Sequence, residues 1–391
     1  MTKPVLTAED KREHHDRIRK LLRDQGLDAL IVGGNAWEDG KLKYLFGQYY
    51  RVGHLTAYAV FPAAGEPVLF AFTPDRPYML RNIEAYNEDY WFDSNRLCTL
   101  ENILAYLHEI PLTHKRIGLD KQLLNGTICQ SLEKEFPDST FVDSGGDLTA
   151  LMRVKTKNEI ACVQEAARIC DAIWDSMRNF LQPGLYDYQL AAEWSRIMYE
   201  EQCDKVFNLT QIHPLDVACP CWPSMHTPKQ IEKNSLVLME ISCSYGGYWT
   251  QRLGCASMGA PDPEVVKLFE AISQAHLEAG KMIKPGITTT YEVAKKMDEV
   301  ISSFGYLNPS QFDTVPHGHL MGLQVDEGTL STRAEESFVL EAGMGVQLHP
   351  GAAVPGYKLY EPSNCGAGGM WLVEPNGASP LYTHPLELMV V

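Results

Sequence analysis

The sequence predicts a mixed α/β amino-terminal domain over residues 1–150 and an α+β carboxy-terminal domain with a pseudo-twofold repeat over residues 151–391. Three observations carry this. Apolar runs of strand length alternate with segments of helical period through the first 145 or so residues. The chain, at 391 residues, is longer than a single core usually organises, and a polar stretch from Asp147 to Lys157 offers a boundary. Beyond that boundary a Pro-Gly turn at Pro183-Gly184 recurs 102 residues later at Pro285-Gly286, each time between two helical segments.

The elements follow in order. Ala8 to Gln25 places apolar and long side chains at helical spacing and stops before Gly26, a C-terminal helix signal. Asp28 to Val32 is a buried strand, and Gly33-Gly34-Asn35 is expected to turn. Strands are expected from Leu55 to Phe61 and from Pro67 to Phe72, joined through Ala63-Ala64-Gly65-Glu66 as a hairpin. Leu100 to Ile110 is helical, Arg116 to Asp120 a strand, and Ile128 to Phe136 a helix. In the second half, a long helix runs from Glu159 to Phe180 and another opens near Asp262. Shorter helices pass through Leu190, Ala191 and Trp194 and through Val293, Ala294 and Met297.

Composition narrows the function classes. Hydrophobic residues at 45% and charged residues at 21% describe a globular chain with a substantial core. The net charge of -16 is dispersed, with no basic stripe, so a nucleic-acid partner is not expected. Met1 to Lys20 lacks the apolar centre of a signal peptide and no run approaches membrane-spanning length. The expectation is a cytoplasmic protein with no membrane partner. Ten cysteines show no framework of closely spaced pairs, which agrees with a reducing compartment. Cys219-Pro220-Cys221, with His213 and His226 near in sequence, is a packed or mildly reactive thiol pair before it is a zinc site, because Cys-x-Cys without a second pair is a weak ligand pattern. Whether Cys219, Cys221 or Cys365 acts as a nucleophile is not readable from spacing.

Four segments near the carboxy terminus carry the chemistry: Val237 to Leu253, His317 to Leu323, Gln347 to Gly351, and the Gly-rich run up to Met370. They follow in order the frame of a two-metal hydrolase site, which needs hard oxygen ligands to hold two ions and ionise a bridging water. The chain resembles the creatinase and aminopeptidase P family, whose catalytic half has the pita-bread fold. On that resemblance, Glu240 and Gln251, eleven residues apart, stand where metallopeptidases of the family carry two aspartates, and Gly247-Tyr248 is the family's Gly-Tyr. His319 stands on its metal-binding histidine, His349 replaces the glutamate before Pro350-Gly351, and Gly368 stands at the last glutamate. One of five ligands survives, because an amide binds a hard ion poorly and glycine offers nothing. The resemblance therefore implies the metal-free branch, with creatinases and ectoine hydrolases, and no bound cofactor.

The resemblance further implies a homodimer acting on a small nitrogenous zwitterion. Splitting a C–N bond without metal needs a proton shuttle, a placed water and a group that holds developing charge. His319, His349 and His226 compete for the shuttle. His226 lies 14 residues before Glu240, whereas the family's catalytic histidine lies about 17 before the first aspartate, where this chain has Pro223. Glu240, on an apolar strand, would meet a substrate cation or pair with Arg252 or Lys229. Gln251, Tyr248, Asp326, Glu327 and Glu361 are candidate substrate-binding residues, and Arg51 of the neighbouring subunit is expected to grip a carboxylate. The leading expectation is a metal-independent C–N hydrolase. The alternatives are a metal-free lyase on a small cationic substrate, an Xaa-Pro-type metallopeptidase and a non-catalytic peptide-binding module.

Overall fold

Helix α1 (Ala8–Gln25) begins at Thr7, whose side chain caps the first turn in a reciprocal box with Asp10, and ends at Gly26 in a left-handed conformation (φ 61°). The computed structural model describes residues 3–47, 56–71, 91, 94–214, 228–307, 317–331, 333–352 and 367–391, with Val206, His213 and Pro214 described by their backbone alone. The described residues form two compact units, Val5–Met152 and Arg153–Val391, the second joined by the start of the chain. Among them no helix is long and apolar enough to cross a membrane.

The first unit is built on a six-stranded sheet in the order β4-β3-β2-β1-β5-β6. Its strands are β1 (Ala29–Gly34), β2 (Ala57–Pro62), β3 (Val68–Ala71), β4 (Ser94–Leu97), β5 (Arg116–Leu119) and β6 (Thr140–Asp143). The expected hairpin is present, with Tyr58 to Val60 antiparallel to Val68 to Phe70. The turn expected over Gly33-Gly34-Asn35 begins only at Asn35, whose side chain accepts the Trp37 and Glu38 amides. Strand β1 continues through both glycines, pairing Gly33 with Tyr58 and Gly34 with Ala57. Their role is close approach, since a Cβ on Gly33 would stand 2.8 Å from the Leu123 carbonyl oxygen.

The second unit pairs four helices with one sheet. After the short helices of the first unit, α2 (Gly40–Phe46), α3 (Leu100–Glu109), α4 (Gly126–Glu135) and α5 (Gly145–Met152), come α6 (Lys157–Phe180), α7 (Asp187–Glu200), α8 (Pro263–Met282) and α9 (Thr290–Ser303). Both long helices are capped by their own sequence: Thr156 with Glu159 in a capping box, and Asp262 before Pro263. Gly184 (φ 100°) and Gly286 (φ 73°) turn the chain between the members of each pair. The sheet has nine strands: β7 (Lys205–Pro214), β8 (Ser235–Tyr245), β9 (Tyr248–Ser257), β10 (Gly318–Met321), β11 (Gly328–Thr329), β12 (Gly345–Leu348), β13 (Gly368–Glu374), β14 (Gly377–Pro380) and β15 (Met389–Val390). Their order is β11-β10-β12-β13-β9-β8-β7, with β14 on β13 and β15 on β9.

The helices fix which face of this sheet is which. Cys170 of α6 approaches Cys243 and Thr250 at 3.5 Å each. Arg252 pairs with Asp171 of the same helix at 2.9 Å. Trp174 fills the space over Gly254, where a Cβ would come within 2.4 Å of the indole ring. Because successive strand residues point to opposite faces, Glu240, Ser242, Gln251 and Leu253 are turned to the other, inner face. The same alternation applies to β12, where Val346 and Leu348 belong to the core under α8 and α9 and Gln347 does not.

Candidate active site

Register across the sheet sets the candidate residues in two rows on the inner face. Ser242 faces Gln251 and Glu240 faces Leu253 on β8 and β9. Leu253 faces Gly368 on β13, and Met370 faces Gln347 on β12, which faces His319 on β10. His349 follows Gln347 by two residues and shares its side of the strand. Four residues from distant parts of the sequence, Glu240, Gln251, His319 and His349, therefore belong to one surface.

The chemistry at each position follows from its surroundings. Gln251 Nε2 donates to Glu240 Oε1 at 2.9 Å and to Ser242 Oγ at 3.1 Å, which leaves its carbonyl oxygen without a partner among the described residues. Burial pushes the Glu240 carboxyl up to about 7 from 4.5. The His319 and His349 rings stand edge to face with centroids 5.3 Å apart. Burial, reinforced by the neighbouring His319, lowers His349 to about 3. Burial also lowers His319, against the opposing pull of Asp326. Both imidazoles are held in the neutral form, as a base or a hydrogen-bonding group rather than a fixed cation. Gly318 lets this segment pack against β12: at φ 145°, a Cβ there would meet the Gln347 carbonyl oxygen at 2.0 Å.

Two sequence expectations are corrected. Tyr248 lies on the helix-facing side of β9, where its hydroxyl donates to Glu159 of α6, the glutamate that also closes the Thr156 capping box. It anchors a helix and does not wall the inner face; Trp249, its neighbour, has the inner parity. Glu327 is fully buried and paired with Lys155 Nζ, an internal ion pair that ties the β10–β11 turn to the entry of the unit. Asp326 stands exposed in a turn and accepts the Gly328 amide at 2.8 Å. Of the two alternative partners for Glu240, Arg252 is excluded, because it lies on the opposite face with Asp171. His226, Arg51, Glu361, Cys219, Cys221 and Cys365 lie outside the described residues.

Two inner-face residues went unnoticed in the sequence, Ser242 and Gln347. The signal was available in part: each is two residues from a candidate on the same strand, Glu240 and His349.

The five positions do not fit a dinuclear metal centre. Gln251 presents its NH2, a donor, to the one carboxylate present. At Gly368 a side chain has no room, since a Cβ would stand 2.4 Å from the Leu348 carbonyl oxygen and 2.8 Å from His349 Cβ. Two divalent ions held by Glu240 and two imidazoles would keep most of their charge uncompensated. Among the described residues no group of three or more His, Cys, Asp or Glu is arranged to hold a metal ion.

A creatinase-type α/β unit followed by a pita-bread unit defines the class, and comparison with known proteins places the chain within it. The profile of metallopeptidase family M24 matches residues 161–374, and that of the creatinase/prolidase N-terminal domain matches residues 14–154. The chain belongs to metallopeptidase family M24. It is 25% identical over 279 residues to the uncharacterized peptidase YqhT of Bacillus subtilis, covering 71% of this chain and 75% of that protein. It is 23% identical over 258 residues to an Xaa-Pro dipeptidase of Pyrococcus furiosus, covering 64% of this chain and 70% of that one. The fold is that of the prolidase from Pyrococcus horikoshii OT3, with a TM-score of 0.79, 19% identity, and coverage of 96% of this chain and 100% of that one. These relatives are prolidases and peptidases, so the narrower resemblance to creatinases and ectoine hydrolases draws no support from them.

Proposed function

We propose that this chain is a hydrolase that cleaves a C–N bond in a small substrate with a cationic nitrogen, using Glu240 and neutral histidines in place of a two-metal centre. The observation that carries this reading is the Glu240 carboxyl, held near 7 by burial, with an amide rather than a cation beside it. A general acid–base group is most effective when its pKa lies near the working pH, because both forms are then populated. Glu240 meets that condition better than His349, whose conjugate acid is scarcely formed at neutral pH. In this mechanism Glu240 takes a proton from water as the water adds to the substrate carbon, and returns it to the leaving nitrogen. The cationic end lies toward Glu240, and the neutral His319 and His349 accept hydrogen bonds from N–H groups at the other end of the substrate. A substrate cation would favour ionised Glu240, so binding releases a proton near neutral pH.

The test combines substitution, pH and metal content. The purified chain, dialysed against chelator, is assayed on creatine, ectoine and Xaa-Pro dipeptides. Expected is turnover that survives chelation, a limb near pH 7 in kcat/KM, and a loss of about 100-fold or more in Glu240→Gln.

The relatives favour a second reading, an Xaa-Pro-type metallopeptidase, since two proteins named Xaa-Pro dipeptidase are similar to this chain over 64% and 62% of its length. Stoichiometric manganese, cobalt or zinc in the isolated protein, with Xaa-Pro cleavage abolished by chelation, would establish it and overturn the first.

A further inference from the structure

Gln347 is fully buried, yet neither atom of its amide has a hydrogen-bond partner among the described residues. Its parity aims it at the inner face, with His319 as its cross-strand neighbour on one side and Met370 on the other. Continuing the register of Gly368 with Leu253 and Gly369 with Arg252 brings Met370 level with Gln251. Two glutamines thus flank one methionine in a row that ends at His319. The three polar residues share one property: Gln251 Oε1, both Gln347 amide atoms and His319 Nδ1 are all buried without partners among the described residues. Most buried polar side chains in folded proteins are paired; unpaired atoms occur elsewhere in this chain too, but here four of them gather on neighbouring strands of one face, which suits a place where something polar binds.

The donor and acceptor pattern selects the guest. Gln251 uses its NH2 on Glu240 and Ser242 and has only an acceptor to offer, while Gln347 offers two donors and an acceptor. A carboxylate has no donor for Gln251, and an ammonium has no acceptor for the Gln347 NH2. An amide or ureido group supplies both. We propose that Gln347 is a specificity-determining residue which, with the Gln251 carbonyl, binds an uncharged amide or ureido group of the substrate at the His319 end of the inner face. This rests on reading the inner face as the substrate site, and it orients the substrate with its cationic end toward Glu240.

Ligand-observed NMR titration of the full-length chain with acetamide, acetate and methylammonium tests this without requiring turnover. Wild type should bind acetamide saturably and in preference to acetate. Gln347→Leu should weaken acetamide at least about tenfold while melting at or above the wild-type temperature, because an apolar side chain of similar shape replaces an amide without partners. Gln347→Met serves as the second variant if leucine packs badly. Glu240→Gln should lose methylammonium and keep acetamide. Undiminished acetamide binding in folded Gln347→Leu, equal binding of acetate, or no saturable acetamide binding by wild type each overturns the proposal. If acetamide depends on Gln347 but methylammonium ignores Glu240, the amide subsite stands and the cation-binding role of Glu240 falls.

Discussion

Replacing Glu240 with Gln is expected to change the pH dependence of stability in one direction only. A carboxyl whose pKa is higher in the folded than in the unfolded chain supports folding fully below the unfolded value, and that support is lost as pH rises through the folded value. For Glu240 the window runs from 4.5 to about 7, the displacement being caused by burial. At 1.36 kcal/mol for each step of pKa, the whole window is worth about 3 kcal/mol, and the part between pH 5 and pH 8 about 2 kcal/mol. His349, lowered to about 3, and His276, lowered to about 4, act in the opposite sense. Their folded values lie below 6.5, so they support folding above that pH and withdraw support as pH falls. The wild-type profile sums these slopes, and only the difference between wild type and Glu240→Gln isolates the carboxyl. Urea unfolding of both proteins near pH 5 and pH 8, followed through the transition of the carboxy-terminal unit, measures it. The variant should gain about 2 kcal/mol on wild type between those pH values. A difference that does not change with pH would refute the reasoning, since it would mean that Glu240 is not desolvated in the folded chain.

The remaining predictions concern positions in and behind the sheet. Gly368→Glu, which restores the family's carboxylate, should not create a metal site; it should destabilise the chain by about 3 kcal/mol or more in urea melts, because the Cβ alone collides with backbone at 2.4 Å. Lys155→Met should cost about 3 to 5 kcal/mol by leaving buried Glu327 without its partner, and Lys155→Met combined with Glu327→Leu should recover much of that loss in the same assay. Tyr248→Phe removes the hydrogen bond to Glu159 and should lower stability by about 1 to 3 kcal/mol while kcat/KM changes by less than threefold, separating a helix anchor from an inner-face residue.

Much of the fold was legible because it is written in local signals. Thr156 with Glu159, Asp262 before Pro263, and Gly26 mark helix ends by satisfying terminal backbone groups, and each acts within a few residues of sequence. The strands of the hairpins announce themselves by short-range pattern as well. The turn expected over Gly33-Gly34-Asn35 begins only at Asn35 because glycine serves close packing as readily as turning, and only the carbonyl of Leu123, ninety residues on, decides between them.

The site divides along the same line. Sequence by itself determined which segments carry the candidate residues, that Glu240, Gln251, His319 and His349 stand in a metallohydrolase frame, and that most of its carboxylates are missing. Alternation along a strand sorts residues into two sets but cannot say which set meets the helices. Tertiary structure alone sent Tyr248 to Glu159, sealed Glu327 against Lys155, and set Gln347 beside His319 with its amide unpaired among the described residues. Those outcomes depend on strand pairings between residues far apart in the chain, and on desolvation, which arises only when the sheet and its helices have come together.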